Sequence, residues 1–184
     1  MIATPRIVAL FGTLAFVGLI ALGARVDVAV PGSPVPQSLQ TLAVLAAGLA
    51  LGPRWGLAAG VLYLAAGAVG LPVFAGGASG VSALTGPTAG YLVGFPLAAL
   101  LVGAGRQTLS RGPVRRTMVL ALGLGLAGHL VILILGWAGL ALRIGAADAL
   151  SAGVAPFLWG MAVKSAALSL IAPLLTTLRD RLNI

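Results

Sequence analysis

Chemistry in this chain has to start from Lys164. It lies near the middle of the last apolar run, Val154–Leu175, where a charged side chain is costly and normally paired. Gly160, Met161, Ala167 and Leu168, three and four residues away, put no carboxylate on its helix face. Two readings stand: the ammonium snorkels outward or pairs with Asp27 or Asp148, or it awaits an anionic ligand. Catalysis finds little material. The chain has one His, no Cys and three acidic residues, all Asp. No metal cluster, nucleophile–base pair or phosphate loop can be assembled from these. An enzyme is not expected, nor a bound cofactor.

The other informative stretch is Leu71–Phe95, a Gly-rich loop running into a Pro-started apolar helix. Irregular backbone at a membrane is tolerated only where it is buried in protein or lines a cavity, so this loop reads as a ligand lid. Tyr91 is an interfacial anchor or an amphipathic wall for a ligand. Gln40 is a helix-end polar group or a buried amide suited to a polar ligand head. His129 reads first as a packed residue bonded to neighbouring backbone. Gly86, Gly90 and Gly94 recur every fourth residue and read first as a flat helix-packing face.

These residues must be positioned by membrane helices. The chain of 184 residues is 60% hydrophobic and 8% charged, with a mean hydropathy of +1.13, far from a soluble balance. The apolar runs do not alternate with polar residues, which favours helices over a barrel. Six segments are expected: Ile7–Ala24, Leu39–Leu51, Trp55–Gly70, Pro87–Gly105, Thr117–Leu142 and Val154–Leu175. The second reaches only about 20 Å of a roughly 30 Å core. Fusing it with the third would make one helix of about 50 Å and bury Arg54. A tight turn at Gly52-Pro53 is the better reading.

The net charge of +8 does not point to nucleic acid, because the cations sit between apolar runs without interleaved aromatics. Arg6, Arg54, Arg106, Arg111, Arg115, Arg116, Arg179 and Arg181 fall on one side, against Arg25 and Arg143, each near an aspartate in sequence. The bias places both termini in the cytoplasm. The Arg106–Arg116 stretch then reads as a loop attracted to anionic membrane lipid. The first segment is too long for a signal-peptide core and is kept as a helix.

Three collinear blocks carry a family resemblance: Pro34–Leu45 with Leu51-Gly-Pro-Arg54; Gly70–Gly77 with Gly86-Pro-Thr-Ala-Gly-Tyr-Leu92; and Ala155-Pro-Phe-Leu158 leading to Lys164. Together they resemble the BioY family, the biotin-binding S components of energy-coupling-factor (ECF) vitamin transporters. The resemblance implies an all-α integral membrane protein, a six-helix S-component bundle forming one domain over residues 1–184 of the cell membrane. It implies a pocket near the outer face, closed by the loops after the first and third helices. Its partners would be biotin, membrane lipid, a transmembrane coupling subunit and ATPase subunits, with a homo-oligomer left open.

The implied ligand-binding residues are Lys164, Tyr91, Gln40, Gly76, Gly77, Thr88 and Met161. Lys164 would meet the carboxylate and the Gly76-Gly77 loop would close over the ligand. Ala9-x-x-x-Thr13 resembles the small-residue spacing such components use for docking. One departure stands out. The family pattern Pro-Gly-Asp-x-x-Lys is Trp159-Gly-Met-Ala-Val-Lys164 here. Replacing a carboxylate acceptor by the thioether of Met161 costs about 1.5–3 kcal/mol, or roughly ten- to a hundredfold in affinity. A divergent S component for another small carboxylated vitamin or precursor is therefore the runner-up. A non-transporting scaffold packed through Gly-rich faces comes third.

Overall fold

The computed structural model describes residues 5–109 and 113–182; Arg111, counted above for orientation, lies outside the described residues. In chain order the elements are α1 (Pro5–Gly23), the antiparallel strand pair β1 (Asp27–Val28) and β2 (Gln37–Ser38), α2 (Gln40–Leu51), α3 (Pro53–Ala68), α4 (Val81–Leu84), α5 (Ala89–Gly105), α6 (Val114–Ile144), α7 (Ala146–Gly153) and α8 (Phe157–Leu182). The six apolar segments fall on α1, α2, α3, α5, α6 and α8. Stretches Arg6–Gly23, Ala89–Leu109, Val114–Ile144 and Phe157–Arg181 are long and apolar enough to cross a membrane, and α2 is apolar but shorter. The last helix starts at Phe157 rather than Val154, because Ala155-Pro156 sits in a turn after α7.

Gly52 separates α2 from α3. Its φ of +86° is a conformation that a side chain disfavours, and Pro53 opens α3 in the position where a missing N–H costs nothing. The guanidinium of Arg106 donates to the Ala50 carbonyl at 3.0 Å, satisfying one orphan acceptor of the last turn of α2. One fused helix is thereby excluded.

Helices α2 and α5 occupy the centre. The first packs against α1, α3, α5 and α8, the second against α2, α3 and α6. Close approach needs bare backbone: a Cβ on Gly48 would strike the Ala99 carbonyl, and one on Gly90 the Leu135 carbonyl. Gly90 and Gly94 therefore serve α5–α6 packing, whereas Gly86 precedes the helix. The Ala9–Thr13 spacing corrects an expectation. Both residues are buried, and the Thr13 hydroxyl bonds back to Ala9 O at 2.8 Å. With α1 packed on α2 and α3, that spacing faces inward and is no outward docking face.

Gly90→Ala is expected to cost about 1–3 kcal/mol by overpacking and to lower the Tm of the detergent-purified protein. Gly123→Ala, on α6 with open space around it, should leave Tm unchanged or raise it, since Ala is the better helix former by about 1 kcal/mol. Thermal unfolding of both variants checks this; an equal drop discards the close-approach account.

Candidate functional site

The segments that follow α1 and α3 cover a cavity of about 490 Å³. Its walls come from residues 34–41, from residues 74–95, and from the facing sides of α6 and α8. Most of the lining is apolar, with Phe74, Leu92, Phe95, Ile132, Leu133 and Phe157 prominent. The one charged side chain among the lining residues is Lys164.

Lys164 is 8% exposed, so it does not snorkel outward. Its Nζ donates to the Ser38 carbonyl at 3.1 Å. Among the described residues it makes no ion pair: the salt bridge found joins Arg179 to Asp180. Pairing with Asp27 or Asp148 is thus excluded. Met161, one helical turn earlier, lines the same wall.

Behind this wall a chain of polar contacts joins four parts of the fold. The Ser38 hydroxyl donates to Gln40 Oε1 at 2.9 Å, and Gln40 Nε2 donates to the Tyr63 hydroxyl. Tyr63, fully buried, donates its own hydroxyl to the Val73 carbonyl at 3.0 Å. Its ring meets Phe74 edge-on at 5.5 Å and stacks with Phe95 at 6.1 Å. A second set surrounds His129. Its Nδ1 lies 2.9 Å from Gly125 O and 3.0 Å from Ser165 Oγ, and its Nε2 lies 3.1 Å from Thr41 Oγ1. The packing reading of His129 holds, although the ring also reaches the cavity. Tyr91 spends its hydroxyl on Gly153 O at 2.7 Å and sets its ring 6.1 Å from Phe157, so it is a buried wall and not an interfacial anchor.

The covering segment after α3 is tied down along its length. Arg25 donates to the Pro72 carbonyl and Arg143 to the Thr85 carbonyl. Between them, Tyr63 holds Val73 O, and Gly80 N donates to Gly67 O at 2.7 Å. These two arginines use loop carbonyls where the sequence offered Asp27 and Asp148, because irregular backbone leaves acceptors that need donors. Gly76 and Gly77, at φ +65° and +77°, make the turn of this segment.

Of the expected residues, Lys164, Tyr91, Gln40, Thr88 and Met161 come together on the cavity, and Gly76 and Gly77 do not line it. Sequence reading missed Gln37, which packs on Gly160 and donates to Pro156 O at 3.3 Å. It also missed Ser38, Tyr63, Phe74 and Phe157. Gln37 and Ser38 stand inside the Pro34–Leu45 block; nothing local marks Tyr63.

A profile of the BioY family matches residues 3–181. A probable biotin transporter BioY from Pyrococcus horikoshii is 40% identical over 157 residues, spanning 85% of this chain and 89% of that protein. The biotin transporter BioY of Thermotoga maritima is 35% identical, over 85% of this chain and 89% of its own. A crystal structure of the S-component for biotin from an ECF-type ABC transporter superposes with a TM-score of 0.83 over 98% of this chain and 95% of that one. At 22% identity that likeness is one of fold.

Arg25→Ala and Arg143→Ala should each free one end of the covering segment. Losing one exposed hydrogen bond is expected to speed amide exchange at residues 72–86 about two- to fivefold, with α6 amides unchanged. Peptide-resolved hydrogen–deuterium exchange reads this directly, and unchanged protection would remove the arginines as tethers.

Proposed function

The chain belongs to the BioY family, and from that premise we propose that it captures biotin for import as the substrate-binding S component of an ECF-type transporter. The observation that carries the reading is Lys164: a buried ammonium, without an ion pair among the described residues, on the wall of a mostly apolar cavity. Such a group calls for an anion. A biotin carboxylate supplies it, and the bicyclic head and valerate chain suit the aromatic and aliphatic walls. The volume falls within the roughly 300–1,000 Å³ of small-molecule sites. Tyr91 and Met161 would pack on the ligand, Thr88 would contact its head, and Gln40 would hold the Ser38 and Tyr63 hydroxyls behind the wall. The Gly76-Gly77 turn would let the covering segment close.

A multi-pass membrane protein fits this role. The reading places six spans in the cell membrane as one domain with both termini in the cytoplasm, the short α2 and α3 each crossing and joined by the tight turn at Gly52-Pro53. Capture requires no catalysis by this chain. Coupling to ATP hydrolysis would fall to a transmembrane coupling subunit and ATPase subunits, since the sequence has no phosphate-binding loop. One observation favours a second reading, a related carboxylated vitamin or precursor: Met161 lines the cavity and, among the described residues, no carboxylate does.

Thermal stability with and without excess biotin is the test. A site at 100 times its dissociation constant stabilises the fold by about 2.7 kcal/mol, and a folded sample that shows no shift overturns the biotin reading. Lys164→Met should weaken biotin at least about tenfold yet leave the ligand-free Tm equal or higher, because a buried charge is exchanged for an apolar chain. Undiminished affinity would take Lys164 out of the site.

A further inference from the structure

Most polar side chains around the cavity are already committed. Gln40 is bonded at both ends of its amide, Tyr91 donates to Gly153 O, His129 is bonded through both nitrogens, and Thr41 meets His129. Gln37 is anchored to Pro156. Three hydroxyls are different. Ser79, Ser82 and Thr88 line the cavity, and their hydroxyls have no hydrogen bond among the described residues. Thr88 stands at the N-terminal boundary of α5, where a hydroxyl normally caps, yet it makes no capping bond. Ser79 and Thr88 are half-buried, and Ser82 is exposed.

A ligand that satisfies this cavity therefore carries an anion for Lys164 and a neutral head that both donates and accepts hydrogen bonds. A hydroxyl can do both in return. We infer that Ser79, Ser82 and Thr88 are the specificity-determining residues for the ligand's polar head, reading the N–H and C=O groups of a cyclic urea through neutral hydrogen bonds alone. The inference rests on the biotin reading and deepens it. It divides recognition in two: Lys164 selects the charge of the tail, and three hydroxyls on the covering segment and at the start of α5 select the head.

Lipoate separates the two halves, because it shares the five-carbon carboxylate tail but ends in a disulfide ring without N–H or C=O groups. Biotinamide keeps the head and loses the tail charge. Affinities of biotin, lipoate and biotinamide are measured for the unmodified protein, for the triple variant Ser79→Ala, Ser82→Ala, Thr88→Val, and for each single variant. The unmodified protein should bind lipoate about ten- to a thousandfold more weakly than biotin, the range three neutral hydrogen bonds span. Biotinamide should lose at least about tenfold. In the triple variant biotin should weaken at least about tenfold while lipoate changes by less than about twofold, so the preference collapses. Retained lipoate binding also reports an intact cavity. Should the triple variant not fold, the single variants give the same comparison at about two- to tenfold each.

Equal losses for both ligands, or an unchanged preference, overturn the assignment of the hydroxyls while leaving biotin capture standing. So does absence of lipoate binding by the unmodified protein, which more than three neutral bonds would be needed to explain. Failure of the folded unmodified protein to bind biotin overturns the biotin reading itself, and this inference with it.

Discussion

An ammonium inside a membrane bundle has to be compensated, and much of this architecture follows from how Lys164 is met. The acceptor within reach is a backbone carbonyl, Ser38 O. A helix cannot offer a mid-chain carbonyl sideways, so the chain after α1 must return to the bundle in extended form. The two-residue pairing of Asp27–Val28 with Gln37–Ser38 does this, and Gln37 fixes it by docking on Gly160 and Pro156. The ligand-free ammonium is thus held in place without being neutralised. A dipole satisfies part of its hydrogen-bonding capacity and none of its charge.

The same economy of polar groups ties floor to cover. Each amide or hydroxyl buried in apolar surroundings must find a partner or cost about 1–3 kcal/mol, and here the partners sit on different elements. Ser38, Gln40, Tyr63 and Val73 O form one chain from β2 through α2 and α3 into the segment over the cavity. His129 joins α6 to α2 and α8 through Thr41 and Ser165. Moving the covering segment breaks the bond at Val73 and exposes the acceptor of Tyr63. Closure and the orientation of Gln40 are therefore linked by contact.

Much of this was legible in sequence wherever a residue's meaning is local. Gly52-Pro53 can only be a break, a lysine in the middle of the apolar run Val154–Leu175 can only be costly, and a Gly-rich run between helices must line something. The long-range half was not legible. Tyr63 reads as one more apolar helix residue until the fold brings Gln40 and Val73 to its hydroxyl. Arg25 and Arg143 stand near aspartates in sequence, but irregular backbone over the cavity supplies carbonyls that claim them first. Ala9 and Thr13 show the limit of spacing rules: small residues announce close packing without saying on which side. The short helix α7 and the strand pair leave no periodic signal in segments of eight and two residues.

Met161 bears on the balance of charge more than on the loss of one hydrogen bond. Positions three apart on a helix are neighbours, so a carboxylate at 161 would sit beside Lys164 and compete with any anionic ligand for it. With a thioether there, the cavity carries one uncompensated positive charge when empty and none when a monocarboxylate is bound. In a low-dielectric pocket that difference is large relative to any single neutral contact. On the proposed reading the ammonium is then left to the ligand's carboxylate, with no side-chain carboxylate beside it among the described residues. On that reading selection would rest first on the ligand's charge, and discrimination among carboxylates would fall to neutral groups on the cavity wall.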